Sequence, residues 1–135
     1  MIRSHRDLKV WKAGIELSVE VYRLTEGYPK SEVFGLVSQM RRAASSVPAN
    51  IAEGFARQHR NELMQFLHIA KGSLCELDTF LFLSERLDYA SQDAVNKLRS
   101  AIDEVGKMLH GLMGSVNEAR ASAGKDKRSQ PVTND

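Results

Sequence analysis

The chain has 135 residues, of which 42% are hydrophobic and 27% are charged, and its formal net charge is +2. A chain of this length can bury one core without disulfides or metals, and its apolar content is too high for a disordered protein. The single cysteine excludes an internal disulfide, and the small net charge neither requires nor excludes a nucleic-acid partner. We therefore expect one globular domain.

The first predicted helix runs from about Leu8 to Glu26, where apolar residues recur at helical spacing and no proline interrupts them. Asp7 precedes this segment and is its predicted N-cap. Gly27 and Pro29 follow it and end the helix, because a proline disfavours the helical conformation of the residue before it. The apolar residues cover a wider face of this helix than the two heptad positions that contact one neighbour in a coiled coil. We therefore expect contacts with more than one neighbour, inside or outside the bundle.

The second predicted helix begins near Ser31, which is its predicted N-cap, and continues to Gly54. From Val33 onward its apolar and small residues recur at alternating steps of four and three, which predicts a face turned toward the core. Pro48 falls inside this segment. Because proline removes one backbone hydrogen bond and clashes with the preceding turn, we expect a kink at this residue.

The third predicted helix, from about Asn61 to Leu87, has a core stripe of leucines and alanine at four- and three-residue steps. Cys75 lies in this segment and is interpreted as a small buried hydrophobic residue. A second apolar stripe lies on an adjoining face and exceeds what one bundle core requires, which indicates an oligomer interface. This second stripe comprises Phe66, Ile69, Ser73, Phe80, Leu83 and Leu87.

The fourth predicted helix has Ser91 as its N-cap and an unbroken apolar heptad from Val95 to Val116. Beyond Asn117 the periodicity is lost and charge increases, so we expect a bundle over residues 1–118 and a flexible C-terminal tail over residues 119–135. The connections between helices are short, which makes sequential helices antiparallel neighbours. The predicted fold is an all-α, up-down-up-down antiparallel four-helix bundle with a kinked second helix.

The spacings that metal and catalytic sites require are missing from the sequence. It contains no Glu-x-x-His, no His-x-x-x-His and no Cys-x-x-Cys. No serine lies in a nucleophile-elbow pattern, and the glycines do not form a phosphate-binding loop. We therefore expect a protein that is not an enzyme and that uses no metal or cofactor.

Small and hydrogen-bonding residues alternate closely between Gln39 and Arg57, and two interpretations of this segment remain open. In the first, a structural polar network across a neighbouring helix is formed by Gln39, Arg42, Asn50 and Glu53. In the second, arginine guanidinium groups contact phosphates. The predicted nucleic-acid-binding residues are Arg41, Arg57, Arg60 and Lys71.

The N-terminal residues are positively charged but lack the apolar run of a signal peptide. Elsewhere the longest apolar runs are far shorter than the roughly 20 residues needed to cross a bilayer. We expect a cytoplasmic protein without a membrane partner.

Four stretches of the sequence match a known family pattern: residues 7–13, 35–44, 46–54 and 66–77. The third reads Ser-Val-Pro-Ala-Asn-Ile-Ala-Glu-Gly, and the fourth includes Ala-Lys-Gly-Ser-Leu-Cys-Glu-Leu. Over residues 7 to about 115, the chain resembles the bacterial four-helix bundle proteins encoded in intervening sequences of large-subunit ribosomal RNA genes. The resemblance implies an antiparallel four-helix bundle that assembles into a ring-like homopentamer.

The same family is similar to the accessory variability proteins of diversity-generating retroelements. Those relatives are thought to bind nucleic acid and a reverse transcriptase through basic surfaces, and no enzymatic activity is established for the family. The resemblance therefore implies RNA or DNA, and a protein such as a reverse transcriptase, as partners. Two functions remain open: a homo-oligomeric bundle that binds nucleic acid, and a protein-binding scaffold or adaptor ring that does not.

Overall fold

Four helices follow one another along the chain in a computed structural model that describes residues 3–129, with side chains described for residues 3–119. They are α1 (Lys9–Thr25), α2 (Ser38–Phe55), α3 (Arg60–Arg86) and α4 (Gln92–Ser129). Helix α2 packs against α1 and α3, and α4 packs against α3 and α1. Across residues 3–129 no strand occurs. This arrangement confirms the predicted all-α four-helix bundle.

The core is built from the apolar stripes that face the centre of the bundle. On α3, the side chains of Leu67, Leu77 and Leu81 have no exposed surface. Ser84 on the same helix is also fully buried, and its hydroxyl donates a hydrogen bond to the carbonyl oxygen of Phe80 at 2.9 Å. Because this bond satisfies the hydroxyl inside the helix, Ser84 can lie in the core without an unpaired polar group.

The start of the second helical segment differs from the prediction. Residues Val33–Val37 form a π-helical turn, in which Gly35 has non-helical dihedral angles of φ −109° and ψ −111°. A kink therefore lies at Gly35, while Pro48 lies inside the continuous helix α2, where the predicted kink stays a prediction. Pro48 packs closely on α1, since a Cβ at Gly14 would lie only 3.4 Å from two carbons of the proline ring.

The helix caps agree with the sequence prediction for α4 but differ for the first two helices. Ser91 is the N-cap of α4, and its hydroxyl oxygen accepts a hydrogen bond from the backbone amide of Ala94 at 3.2 Å. The carboxylate of Asp7 accepts hydrogen bonds from the amides of residues 3 and 4, so it caps a preceding 3-10 turn. Ser31 lies inside a second 3-10 turn, Lys30–Glu32, and caps no α-helix.

Cys75 is exposed, so the prediction of a buried thiol is wrong. Its neighbours Leu74 and Leu77 lie on the buried face of α3. Each residue step turns about 100° around a helix, which carries position 75 away from that face.

Helix α4 continues to Ser129, past residue 118 where the bundle was predicted to end. The flexibility of residues 119–135 stays a prediction, and residues 130–135 lie outside the described residues. None of the described helices combines the length and apolar character needed to cross a membrane.

Candidate nucleic-acid interface on helices α1 and α2

A groove follows the contact between α1 and α2 on the outside of the bundle. It has two adjoining sections of about 690 Å³ and about 670 Å³, which share Tyr22 and Ser45. The larger, cationic section includes Lys30, Phe34, Arg41 and Arg42. The smaller, apolar section includes Trp11, Ile15, Pro48 and Ala49. Together the two sections form what we call the α1–α2 groove.

Phe34 projects from the π-helical turn at the end of the cationic section, and 96% of its surface is exposed. The turn is held by Glu32, whose carboxylate accepts hydrogen bonds from the Leu36 amide at 3.4 Å and from the Tyr89 hydroxyl at 2.8 Å. A Cβ on Gly35 would lie 2.8 Å from Glu32 Oε1, so a larger residue here would displace the carboxylate that holds the turn. The fold therefore presents Phe34 on an anchored turn.

Loss of the Tyr89 hydroxyl is expected to loosen this turn. The hydrogen bond to the Glu32 carboxylate raises the pKa of Tyr89, because it stabilises the protonated phenol. This stabilisation is present below the ordinary tyrosine pKa of 10.0 and is lost as the pH rises through the raised value. Tyr89→Phe should therefore speed hydrogen exchange at the Leu36 amide near neutral pH.

Hydrogen-exchange mass spectrometry of peptides covering residues 30–40 measures this effect. Tyr22→Phe is the matched control, because Tyr22 is 46% exposed and its hydroxyl takes no part in holding the turn. Equal exchange in Tyr89→Phe and the unsubstituted protein would show that Glu32 and Tyr89 do not anchor Phe34.

Arg41 is held against α1 inside the cationic section. Its Nε donates a hydrogen bond to Thr25 Oγ1 at 2.9 Å, and its Nη2 donates to the Tyr22 carbonyl oxygen at 3.3 Å. The guanidinium carbon lies 4.6 Å from the centroid of the Tyr22 ring, and Glu26 Oε1 lies 3.9 Å from Nη2. Arg41 therefore lies against the Tyr22 ring, while the neighbouring Arg42 is exposed.

The lining of the α1–α2 groove has more cationic than anionic side chains. It contains four cationic side chains, those of Arg23, Lys30, Arg41 and Arg42, and one anionic side chain, that of Glu26. The groove thus carries a net of three positive charges, whereas the whole chain carries a net of only two. The groove therefore carries a local excess of positive charge that favours the approach of anions.

The other predicted nucleic-acid-binding residues lie outside this groove. Arg57, just beyond the end of α2, forms an ion pair with Glu53, and its guanidinium carbon lies 5.0 Å from the centroid of the Phe66 ring. Arg60 and Lys71 are exposed on α3, about three helical turns apart. The structure therefore does not bring Arg41 together with these three residues.

Asn50, one of the four residues of the predicted polar network, links α2 to α3 through a serine. Its Nδ2 donates hydrogen bonds to the carbonyl oxygen and to Oγ of Ser46 at 2.7 Å and 2.8 Å. Ser46 Oγ in turn lies 2.9 Å from Ser73 Oγ on α3. This short chain of hydrogen bonds helps to hold the two helices together.

The remaining network residues do not join that chain. Glu53 pairs with Arg57, and Gln39 and Arg42 are exposed on the same outward side of α2. Among the described side chains, no hydrogen bond connects any two of Gln39, Arg42, Asn50 and Glu53. The network of these four residues across a neighbouring helix stays a prediction.

Part of the second apolar stripe predicted on α3 is exposed. Ile69, Leu83 and Leu87 are each about half exposed, at 50%, 47% and 50%. Phe66 and Phe80 are partly covered, and Ser73 is buried. We call Ile69, Leu83 and the C-cap residue Leu87 the α3 apolar stripe, since their spacing places them on one side of the helix.

Several residues of the groove, among them Arg23, Lys30 and Phe34, were not predicted from the sequence. Phe34 does not occupy one of the predicted core positions, and a glycine follows it. These two features of the sequence could have indicated an exposed turn. Val33 was predicted to face the core but is 47% exposed. The π-helical turn explains this error, because it changes the helical register ahead of α2.

The fold and the groove together define a small helical-bundle protein with a cationic, aromatic outer face. In the part of the chain that the structure describes, no group of three or more potential metal-binding side chains occurs. The family model described as 23S rRNA-intervening sequence protein matches residues 6–111. The chain therefore belongs to this family, which confirms the resemblance noted in its sequence.

One solved structure that matches the chain is a protein with unknown function from the S23 ribosomal protein family of Bacteroides thetaiotaomicron. Its TM-score is 0.70 at 23% sequence identity, and the match covers 77% of this chain and 97% of that chain. At this identity the likeness shows the fold alone. None of the curated proteins matches the chain.

Proposed function

We propose that this protein is a non-catalytic, homo-oligomeric helical bundle that binds RNA or DNA by phosphate contacts. The observation that carries the proposal is the net of three positive charges in the α1–α2 groove of a chain whose total is +2. Lysine and arginine side chains that neutralise phosphates supply much of the affinity of proteins for nucleic acids. The family description refers to 23S rRNA, so fragments of that RNA are the first ligands to test.

Within this proposal, Arg42 and Lys30 contact phosphate directly, because both are exposed in the cationic section. Arg41 contributes charge and positions Tyr22. Arg57 and Arg60 lie at the connection of α2 and α3, where Glu53 offsets the charge of Arg57, and Lys71 lies about three turns further along α3. We expect these three residues to contribute less.

Self-association is supported by the α3 apolar stripe. Contact with a second copy would remove Ile69, Leu83 and Leu87 from water, which is favourable in proportion to the apolar area covered. The ring of five subunits is proposed on the family resemblance. Such a ring would carry one α1–α2 groove on each subunit. If several grooves bound the same nucleic-acid strand, the overall affinity for that strand would rise. A monomeric mass in native mass spectrometry would contradict this part of the proposal.

The cytoplasm is the proposed setting, since a single, exposed cysteine gives no sign of an oxidising compartment. A protein such as a reverse transcriptase is a further proposed partner, on the resemblance alone.

Salt dependence is the test of the phosphate contacts. With about three contacts, we expect the affinity for 23S rRNA fragments and for unrelated duplexes to fall roughly 20-fold to 40-fold between about 50 mM and about 200 mM salt. Arg42→Gln should weaken binding and flatten this dependence. Arg86→Gln is the matched control, because Arg86 is an exposed arginine at the end of α3 and outside the groove.

Absence of binding at low salt would contradict the proposal and favour the second function, a protein-binding scaffold or adaptor ring. The exposed Phe34 and the apolar section of the groove are the observations that favour this alternative. It predicts that one protein partner is retained by the purified ring and that nucleic acid has no effect on this binding.

A further inference from the structure

We infer that the α1–α2 groove binds single-stranded nucleic acid, with an unpaired base stacked on Phe34 and the neighbouring phosphates against Arg42 and Lys30. This inference rests on the proposed function. Beyond the proposed function, it specifies that the nucleic acid is single-stranded. It also names Phe34 as the aromatic residue that distinguishes single strands from duplexes.

The exposure of Phe34 sets it apart from every other large apolar residue of the described surface. Its value is 96%, whereas the other exposed ones lie between 37% and 50%. The ring is not at the tip of a free loop, because Glu32 joins its turn to Tyr89. A flat apolar ring that is anchored and open to solvent is a surface on which a base can stack.

Phe34 lies in the same section of the groove as the cations that would hold the phosphates. Lys30, Arg41 and Arg42 line this section together with Phe34 and Tyr22. Proteins that bind single strands combine a cationic groove with aromatic side chains in this way. The aromatic ring recognises the face of the base, and the cations recognise the backbone.

The groove continues along α1 far enough for more than one nucleotide. Tyr22 lines both sections, and Trp11 lies three helical turns away from it in the apolar section. Three turns correspond to roughly 16 Å along the helix axis. Because neighbouring bases stack about 3.4 Å apart in a helical strand, this distance accommodates several nucleotides.

A duplex or a second copy of the chain fits the groove less well. The faces of duplex bases are stacked on one another, so an exposed ring meets them only where the strand is unpaired. Two copies placed groove to groove would oppose two surfaces of net positive charge, and the oligomer mass of the Phe34 variant below tests a head-to-tail contact through this face. Single strands match both the charge and the open ring.

Fluorescence anisotropy with labelled oligo-uridine, oligo-deoxythymidine and a hairpin duplex of equal length tests the inference. The full chain should bind either single strand more tightly than the duplex. Phe34→Ala and Phe34→Leu should each weaken single-strand binding roughly 5-fold to 100-fold, whereas Phe34→Trp should retain it. Phe34→Leu separates stacking from apolar contact, because leucine keeps an apolar side chain but has no aromatic face.

Phe82→Ala is the matched control, since Phe82 is a 49% exposed aromatic residue outside the groove. Thermal unfolding of the Phe34 variants should match that of the unsubstituted protein, because the ring contributes no buried surface. Equal binding of single strands and duplexes, with no effect of Phe34→Ala, would overturn base stacking while leaving phosphate binding intact.

Two other outcomes separate the remaining explanations. Failure of all three nucleic acids to bind at low salt would overturn the proposed function together with this inference. A fall in oligomer mass caused by Phe34→Ala, with nucleic-acid affinity unchanged, would identify Phe34 as a protein contact and overturn the inference alone.

Discussion

Leu77→Ala is expected to lower the free energy of unfolding by about 2–5 kcal/mol, because Leu77 is fully buried in the middle of α3. The substitution removes apolar atoms from the core and leaves a cavity that the helices fill only in part. Urea denaturation followed by circular dichroism measures the change.

Cys75→Ala is the matched control for Leu77→Ala on the same helix. Because Cys75 is exposed, its substitution should change the free energy of unfolding by less than about 0.5 kcal/mol. If Cys75→Ala lowered the free energy of unfolding as much as Leu77→Ala, the buried face of α3 would be assigned to the wrong residues.

Gly54→Val is expected to lower the free energy of unfolding by about 1–3 kcal/mol, because α2 and α3 approach closely at this glycine. A Cβ at position 54 would lie 3.0 Å from Phe66 Cβ and 3.3 Å from the Leu63 carbonyl oxygen. Phe66 Cβ and the carbonyl oxygen are fixed by the α3 backbone, so the two helices would have to separate. Thermal or urea unfolding measures the loss.

Gly72→Val isolates this steric effect from helix propensity. A Cβ at Gly72, in the middle of α3, meets no atom within 4 Å. Valine has a slightly higher helix propensity than glycine, so this variant should be unchanged or more stable by a few tenths of a kcal/mol, on the order of the propensity difference. If both variants lost equal stability, close approach at Gly54 would not be the cause.

The fold was predictable because the apolar periodicity of each helix agrees with its burial. The leucines of α3 at positions 67, 74, 77 and 81 lie in the core as their spacing predicts. Ser91 caps α4 because its hydroxyl oxygen accepts a hydrogen bond from a backbone amide of the first turn, which has no partner within the helix. These features depend on residues near one another in the chain.

The start of the second helical segment was not predictable, because it depends on contacts between distant parts of the chain. Glu32 bonds to Tyr89, which is 57 positions away, and this contact anchors the turn that carries Phe34. Gly14 on α1 packs against the ring of Pro48, which lies inside α2. Periodicity within one segment reveals neither contact.

The candidate site was predictable only in part. Arg41 and Arg42 were identified from the sequence, and both line the groove. Arg41 was assigned to phosphate and Arg42 to a structural network, whereas the structure places Arg41 against Thr25 and leaves Arg42 exposed. Two adjacent arginines face different directions on a helix, and only the packing of α1 against α2 determines which of them is covered.

Photocross-linking tests the central claim, nucleic-acid binding in the α1–α2 groove, most directly. A single-stranded oligonucleotide containing 4-thiouridine would be irradiated with the full-length protein at low salt, and the linked peptides identified by mass spectrometry. Binding in the groove predicts cross-links within residues 11–49, above all at Phe34. Cross-links confined to α3 and α4, or none at all, would contradict it.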